Sequence, residues 1–187
     1  MRTSVIFWRR TDTEGLERLE LLVEPEGVKV TSTVICLESG GFRIDHHWRL
    51  GSDWRAQSVV VERWNMAGRG SLKLERAESG WKVDGELRAD LEGAAEPDLS
   101  ITPFCNTLPI REMAKAGSES FTLDVAFIDG PTLTVARSRQ RYDRKGPKKL
   151  RYVDLGLSAG FEADLVVDEE GLIVRYEHLF ERVPASA

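Results

Sequence analysis

Apolar and polar residues alternate strictly through long stretches of this 187-residue chain, and no other feature restricts its fold as much. In residues 42–50, Phe42, Ile44, Trp48 and Leu50 share one face, and charged side chains occupy the other. A period of two places successive side chains on opposite faces of a β-strand. The alternation returns in residues 81–91, 121–127 and 161–167, so the sequence predicts half-buried strands along most of its length.

Short groups of turn-forming residues separate these stretches. Glycine, proline, aspartate, glutamate and serine recur at residues 24–27, 39–41, 51–53, 78–80, 129–131 and 168–171, as they do between the strands of β-hairpins. We therefore predict a mainly β fold of about a dozen or more strands, in which a large antiparallel meander curls on itself. Curling hides the edge strands that an open sheet would expose.

Helical periodicity competes with this pattern in two places. Residues 14–22 have high helix propensity, but the Glu-Pro pair that follows suits a strand entering a hairpin, and we predict a strand. Residues 109–116, closed by Gly117, are predicted to form a short helix. Pro109 can open that helix with Thr107 as its cap, and Pro103 removes a backbone donor from any sheet ladder. Residues 98–111 thus predict a strand, a corner and a helix, around which the sheet wraps.

Length and charge indicate the class of protein. A chain of this size buries roughly 70% of its unfolded surface, so we predict one domain spanning residues 1–187. The 26 basic and 31 acidic residues give a net charge of −5, which argues against a general nucleic-acid or anionic-membrane binder. The N-terminal apolar stretch is too short for a signal peptide, and no window approaches a membrane span. We expect a cytoplasmic protein whose two cysteines, Cys36 and Cys105, are reduced.

Candidate catalytic groups are few. His46 lies on the apolar face of its strand, and His178 shares the parity of apolar neighbours, so both are candidates to point inward; hydrogen-bonded core histidines are the competing interpretation. The carboxylates fall mostly on polar faces, and no nucleophile motif such as Gly-x-Ser-x-Gly is present. We therefore expect no catalytic residues, no metal site and no cofactor.

Two groups of residues point to a ligand. Residues 137–151 form a local basic patch, and if the parity of Leu133 continues, Arg139 faces the concave side and can grip an anionic group. A solvated hairpin is the alternative. Trp54 lies in a turn beside Arg55, a pairing typical of sugar or amphiphile contacts, although core packing explains a tryptophan equally well.

The central motif carries a family resemblance. Residues 102–111, Thr-Pro-Phe-Cys-Asn-Thr-Leu-Pro-Ile-Arg, resemble the signature of the putative glycolipid-binding family, from which Cys105 departs because relatives more often have a small polar residue there. Further matches run along the chain: Trp54-Arg55, Gly80-Trp81, Asp98-Leu99, Gln140-x-Tyr142, Tyr152, Phe161, Asp168-x-x-Gly171-Leu172 and Tyr176-x-x-Leu179-Phe180-x-Arg182. The resemblance implies a spiral β-roll or half-barrel around one helix, often dimeric, similar in outline to bacterial lipoprotein carriers.

Three functional hypotheses follow. The leading one is a non-catalytic carrier or sensor whose concave face accepts acyl chains, with Trp54, Arg55, Arg139, Tyr142 and inward-facing His46 as ligand contacts. The second is an enzyme acting on an amphiphile or sugar, marked by an inward histidine beside a buried carboxylate. The third is a structural homodimer whose roll its own side chains fill. In each case the motif residues are predicted to brace the corner: Thr102, Pro103, Phe104, Asn106, Pro109 and Arg111.

Overall fold

Fifteen strands form a single mixed sheet in the computed structural model, which describes residues 1–184. Strands account for 58% of the chain, and the sheet does not close into a barrel. The predicted mainly β fold, wrapped around a short helix, is therefore confirmed. None of the helices within residues 1–184 has the length and apolar character that a membrane span requires.

The strands form two meanders that meet in the middle of the sheet. The first meander comprises β1 (Arg2–Arg10), β2 (Gly15–Glu24), β3 (Gly27–Cys36), β4 (Phe42–Leu50), β5 (Ala56–Asn65), β6 (Gly68–Arg76), β7 (Trp81–Val83) and β8 (Glu86–Leu87). The second comprises β9 (Glu96–Leu99), β10 (Ser120–Ile128), β11 (Val135–Gly146), β12 (Lys149–Asp154), β13 (Glu162–Val167), β14 (Ile173–Tyr176) and β15 (Phe180–Val183). β1 pairs with β15, and β8 and β9 are the two outer strands.

Neighbouring strands are antiparallel except for the parallel pair β9 and β10. Every second connection between strands therefore lies at the same end of the sheet. We call one end the mouth end; it carries residues 11–14, 37–41, 66–67, 129–134, 155–161 and 177–179. Two of its turns touch where the Thr11 amide donates to the Leu179 carbonyl at 3.0 Å. The opposite, base end carries residues 25–26, 51–55, 77–80, 147–148 and 168–172.

The central corner leads into the helix. After β9, a 3-10 turn at Pro103–Asn106 runs directly into α1 (Thr107–Lys115), so the helix begins two residues before the predicted Pro109. Thr102 caps the 3-10 turn by accepting a hydrogen bond from the Phe104 amide at 3.2 Å. Gly117, with φ of +61°, follows the helix in the left-handed conformation that favours glycine. The Lys115 ammonium donates to the Asp53 carbonyl at 2.5 Å, so α1 runs from the mouth end to the base end.

Buried side chains occupy most of the concave face. One apolar cluster lies on the first meander and contains Trp8, Trp48 and Trp81; a second lies on the later strands and contains Tyr142 and Tyr152. The helix sits between them, because Leu108 packs in the first cluster whereas Ile110 and Met113 pack in the second. Both cysteines are buried free thiols. Side chains thus fill much of the concave face, and one cavity lies at the mouth end.

Candidate functional site

A cavity of about 250 Å³ lies at the mouth end, between the central corner and the second meander. We call it the mouth cavity. Its wall combines aromatic rings with polar side chains: Phe127, Tyr152, Phe161, Tyr176 and Phe180 with Asp98, Asn106 and Asp154. The strand ends of β9, β10, β12, β14 and β15 supply most of this wall, so the fold of the whole second meander positions it.

Three rings form a triangle beside the cavity. The ring centroids of Tyr152 and Tyr176 are 5.8 Å apart, and Phe161 lies 6.1 Å from Tyr152 and 6.5 Å from Tyr176. Tyr152 reaches the concave side because it shares the inward parity of Leu150 on β12, and Tyr176 is buried at the end of β14. The triangle gives the cavity an apolar wall whose ring faces and edges suit stacking contacts.

Asp98 presents a half-buried carboxylate at the cavity. The Cys105 thiol donates to its Oδ1 at 2.8 Å, and the Gln140 amide donates to its Oδ2. Burial raises the pKa of Asp98, and the charge of nearby Asp154 raises that pKa further. The Cys105 thiol therefore contacts this carboxylate directly. Burial raises the pKa of the thiol as well.

Asp154 is the second carboxylate and organises the connection after β12. It is 8% exposed, and its Oδ1 accepts the Gly156 amide at 2.8 Å and the Ser158 amide at 3.1 Å. These bonds shape residues 155–161, which we call the mouth loop. The hydroxyl of Tyr152 donates to Oδ2 of Asp154 at 3.3 Å, so the same residue joins the loop to the aromatic triangle.

The central motif forms the remaining wall. The Asn106 side chain donates to the Pro103 carbonyl at 3.4 Å and accepts the Tyr142 hydroxyl at 2.9 Å. Thr102 donates to Glu17 Oε1 at 2.9 Å, which ties the corner to β2 of the first meander. Phe104 is fully buried and packs edge-on to Trp48 with ring centroids 5.7 Å apart. These contacts give the motif residues a bracing geometry.

Among the predicted ligand residues, His46 and Tyr142 are buried behind the surface. His46 Nδ1 accepts the Trp48 indole N–H at 2.9 Å, and Nε2 lies 3.1 Å from Glu17 Oε1. Since Nδ1 is an acceptor, Nε2 carries the proton and donates a hydrogen bond to Glu17. His46 therefore belongs to a closed polar network that also includes Ser32, whose hydroxyl donates to Glu17 at 2.7 Å.

Trp54 and Arg55 lie at the base end. The Arg111 guanidinium sits 3.9 Å from the centroid of the Trp54 ring and donates to the Glu170 carbonyl at 2.8 Å. Arg111 thus contacts a backbone oxygen of the connection between β13 and β14. The Arg55 side chain is 57% exposed. None of the five predicted ligand residues lines the mouth cavity.

The predicted inward direction of Arg139 is wrong. Ser138, Gln140 and Tyr142 face inward on β11, while the Arg139 side chain is 61% exposed on the opposite face, 3.9 Å from Asp124. Leu133 lies in a loop with φ of +60°, so its parity does not continue into the strand. The prediction for His178 fails for the same reason, because this 70% exposed side chain sits in a turn with φ of +69°.

The two cavity carboxylates, Asp98 and Asp154, were not among the site residues predicted from the sequence. Asp154 shares the parity of Leu150 and Tyr152, both buried, and this alternation was the signal that could have identified it. Asp98 immediately precedes the central motif, but its burial depends on Gln140 of β11, a contact that no local pattern reveals. Glu17 shares the inward parity of Leu19 and Leu21 and could also have been found.

Comparison with known proteins gives the following matches. A family model described as "Putative glycolipid-binding" matches residues 5–182. The crystal structure of a DUF1089 family protein from Pseudomonas aeruginosa is similar, with a TM-score of 0.78 and 30% sequence identity over 89% of this chain and 92% of that one. A search of curated proteins gave no match.

Proposed function

The chain belongs to the family described as putative glycolipid-binding, and from this premise we propose that it is a non-catalytic carrier or sensor. It binds an amphiphile by taking the sugar headgroup into the mouth cavity. The observation that carries this proposal is the composition of the wall, where an aromatic triangle and two carboxylates line the same cavity. A sugar offers an apolar C–H face for stacking and hydroxyls that donate to carboxylates.

The size of the cavity suits the headgroup of the ligand but not its acyl chains. Its volume of about 250 Å³ falls just below the roughly 300–1,000 Å³ of pockets that enclose drug-sized ligands. One headgroup unit therefore fits, and the acyl chains lie outside. This changes the sequence-based hypothesis, in which the concave face holds the chains, because core side chains fill most of that face.

The mouth loop provides the surface for the acyl chains. Residues 155–161 contain no charged side chain, and Leu155 and Leu157 are 42% and 57% exposed. Ser158 and Phe161 of the same loop line the cavity, so the apolar surface begins where the headgroup site ends. An amphiphile bound there keeps its polar and apolar parts in matching surroundings.

An enzymatic role finds less support. The expected marker, a histidine beside a buried carboxylate, is present in the His46–Glu17 pair. Both residues are nearly fully buried, at 0% and 2% exposure, and neither lines the mouth cavity. A general acid or base must reach the reacting atoms, and this pair lies sealed inside the core. A homodimer and a cytoplasmic location remain part of the proposal, resting on the family resemblance and the sequence composition.

Calorimetric titration with a short-chain alkyl glucoside, below its critical micelle concentration, tests the proposal. We expect one ligand per chain and roughly five- to tenfold weaker binding in Phe161→Ala, because the variant loses a ring contact that contributes about 1 kcal/mol. Phe121→Ala is the matched control: Phe121 packs against the same apolar cluster but does not line the cavity. Equal losses in both variants, or no binding of any alkyl glycoside to the wild type, would contradict the proposal.

A further inference from the structure

The mouth cavity has an unbalanced charge. Neither Asp98 nor Asp154 forms an ion pair with a basic side chain of residues 1–184; their partners are a thiol, an amide, a phenol and backbone N–H groups. Other buried or half-buried acids of the chain do have such partners: Glu96 pairs with Arg76 at 3.0 Å, and Asp168 with Arg182 at 2.7 Å. Glu17 in the core likewise has no Lys or Arg partner among residues 1–184 and accepts hydrogen bonds from His46, Ser32 and Thr102. Glu17 does not line the mouth cavity, whereas Asp98 and Asp154 do.

The arginines of the adjacent strand β11 do not neutralise them. Gln140 of β11 donates a hydrogen bond to Asp98. The Arg137 and Arg139 side chains of β11 extend from the opposite face of the strand. Arg137 pairs there with Asp124 at 2.5 Å, and Arg139 is 61% exposed. The wall of the cavity thus supplies hydrogen-bond donors to the carboxylates but no compensating positive charge.

A buried carboxylate without a cationic partner is costly. Removing a charge from water is compensated only when an opposite charge or strong hydrogen bonds replace the solvent. Here the cost is visible in Asp98, whose pKa is raised by burial and by the charge of Asp154. A cation placed in the cavity would relieve both the loss of solvent and the repulsion between the carboxylates.

The aromatic triangle favours the same kind of ligand. The face of an aromatic ring carries partial negative charge and attracts a cation within about 6 Å of its centroid. Three mutually close rings, Tyr152, Phe161 and Tyr176, line the cavity that also contains the carboxylates. Rings and carboxylates are the two groups from which proteins build ammonium sites, and each is present independently of the other.

We propose that the headgroup bound in the mouth cavity carries an ammonium group, held between Asp98, Asp154 and the aromatic triangle. This inference rests on the proposed function, since it specifies the chemical class of the same ligand. Two kinds of headgroup carry such a group: an amino sugar with a protonated amine, and a choline-type headgroup with a quaternary ammonium. The first can donate hydrogen bonds to the carboxylates, whereas the second relies on charge and ring contacts.

Three amphiphiles with the same short alkyl chain test the inference: a glucoside, a glucosaminide with a protonated amine, and a trimethylammonium. Calorimetry at pH 7 should show the glucosaminide binding about tenfold or more tightly than the glucoside. Comparable binding of the trimethylammonium would support the choline-type source, and preference for the glucosaminide over it would support the amino-sugar source. If glucoside and glucosaminide bind equally well, the ammonium inference is wrong but the proposed function stands.

Substitutions of the carboxylates complete the test. In Asp98→Asn and in Asp154→Asn, the ratio of glucosaminide to glucoside affinity should fall towards one, because each variant removes a negative charge and keeps the shape of the side chain. Asp129→Asn is the control: Asp129 lies at the mouth end, where it accepts the Thr132 amide at 2.9 Å, but it does not line the cavity. An unchanged ratio in both cavity variants would overturn the inference. Absence of binding by all three amphiphiles would contradict both the ammonium inference and the proposed function.

Discussion

Single polar residues at inward positions give the concave face its specific contacts. Glu17 of β2 shares the inward parity of Leu19 and Leu21. It receives hydrogen bonds from Ser32, Thr102 and His46. One carboxylate thereby links β2, β3, β4 and the central corner. Such a residue is predictable as inward from its parity, but its partners come from elements up to 85 residues away, so its role required the folded structure.

Glu96 provides a pH-dependent prediction at this scale. Burial raises its pKa to about 7, despite Arg76 at 3.0 Å. The folded state therefore retains a proton that the unfolded state loses at lower pH, and the contribution of Glu96 to the free energy of unfolding falls as pH rises from about 4.5 to 7. In Glu96→Gln, we expect this fall to be smaller by roughly 2–3 kcal/mol, measured by urea unfolding from pH 5 to pH 8.

The control for this experiment is Glu78→Gln, which alters an exposed turn residue and should keep the pH dependence of the wild type. If Glu96→Gln and the wild type lose the same free energy of unfolding over this pH range, Glu96 does not titrate as its burial implies.

At the scale of elements, regular strands and the helix could be predicted, whereas interruptions of the pattern could not. Residues 42–50 were predicted as a strand and form β4, and residues 14–22 lie largely within β2 as expected. Arg139 was assigned the wrong direction because it lies beyond Leu133, which has a positive φ, and His178 because it has a positive φ itself; alternation stops at such residues. Local sequence specifies whether side chains alternate between two faces, but tertiary contacts decide which of the two faces points inward.

The helix α1 carries a stability prediction. Met113 is 0% exposed and packs in the second apolar cluster, so Met113→Ala should lower the free energy of unfolding by about 2–5 kcal/mol through lost burial and a cavity. Chemical unfolding at fixed pH measures this difference. Lys115→Ala, two residues later and 47% exposed, should cost less than about 1 kcal/mol. Similar losses in the two variants would show that α1 does not bridge the core as described.

For the whole molecule, the mouth end and the base end offer competing ligand sites. The sequence pointed to Trp54 and Arg55, which lie at the base end, where a second cavity of about 230 Å³ adjoins Arg111 and Glu170. Our proposal places the headgroup in the mouth cavity, whose rings and carboxylates come together where β9 lies near the ends of β12, β14 and β15. That convergence joins residues distant in sequence, which explains why the fold class was predictable and the site was not.

Mapping the ligand by NMR tests the central claim most directly. Amide resonances of the uniformly labelled protein would be recorded while a short-chain alkyl glycoside is added below its critical micelle concentration. We predict the largest shift changes around Ser158, Phe161 and Tyr176 at the mouth end, with little change around Trp54 and Arg111. Changes confined to the base end, or none at saturating glycoside, would contradict headgroup binding in the mouth cavity.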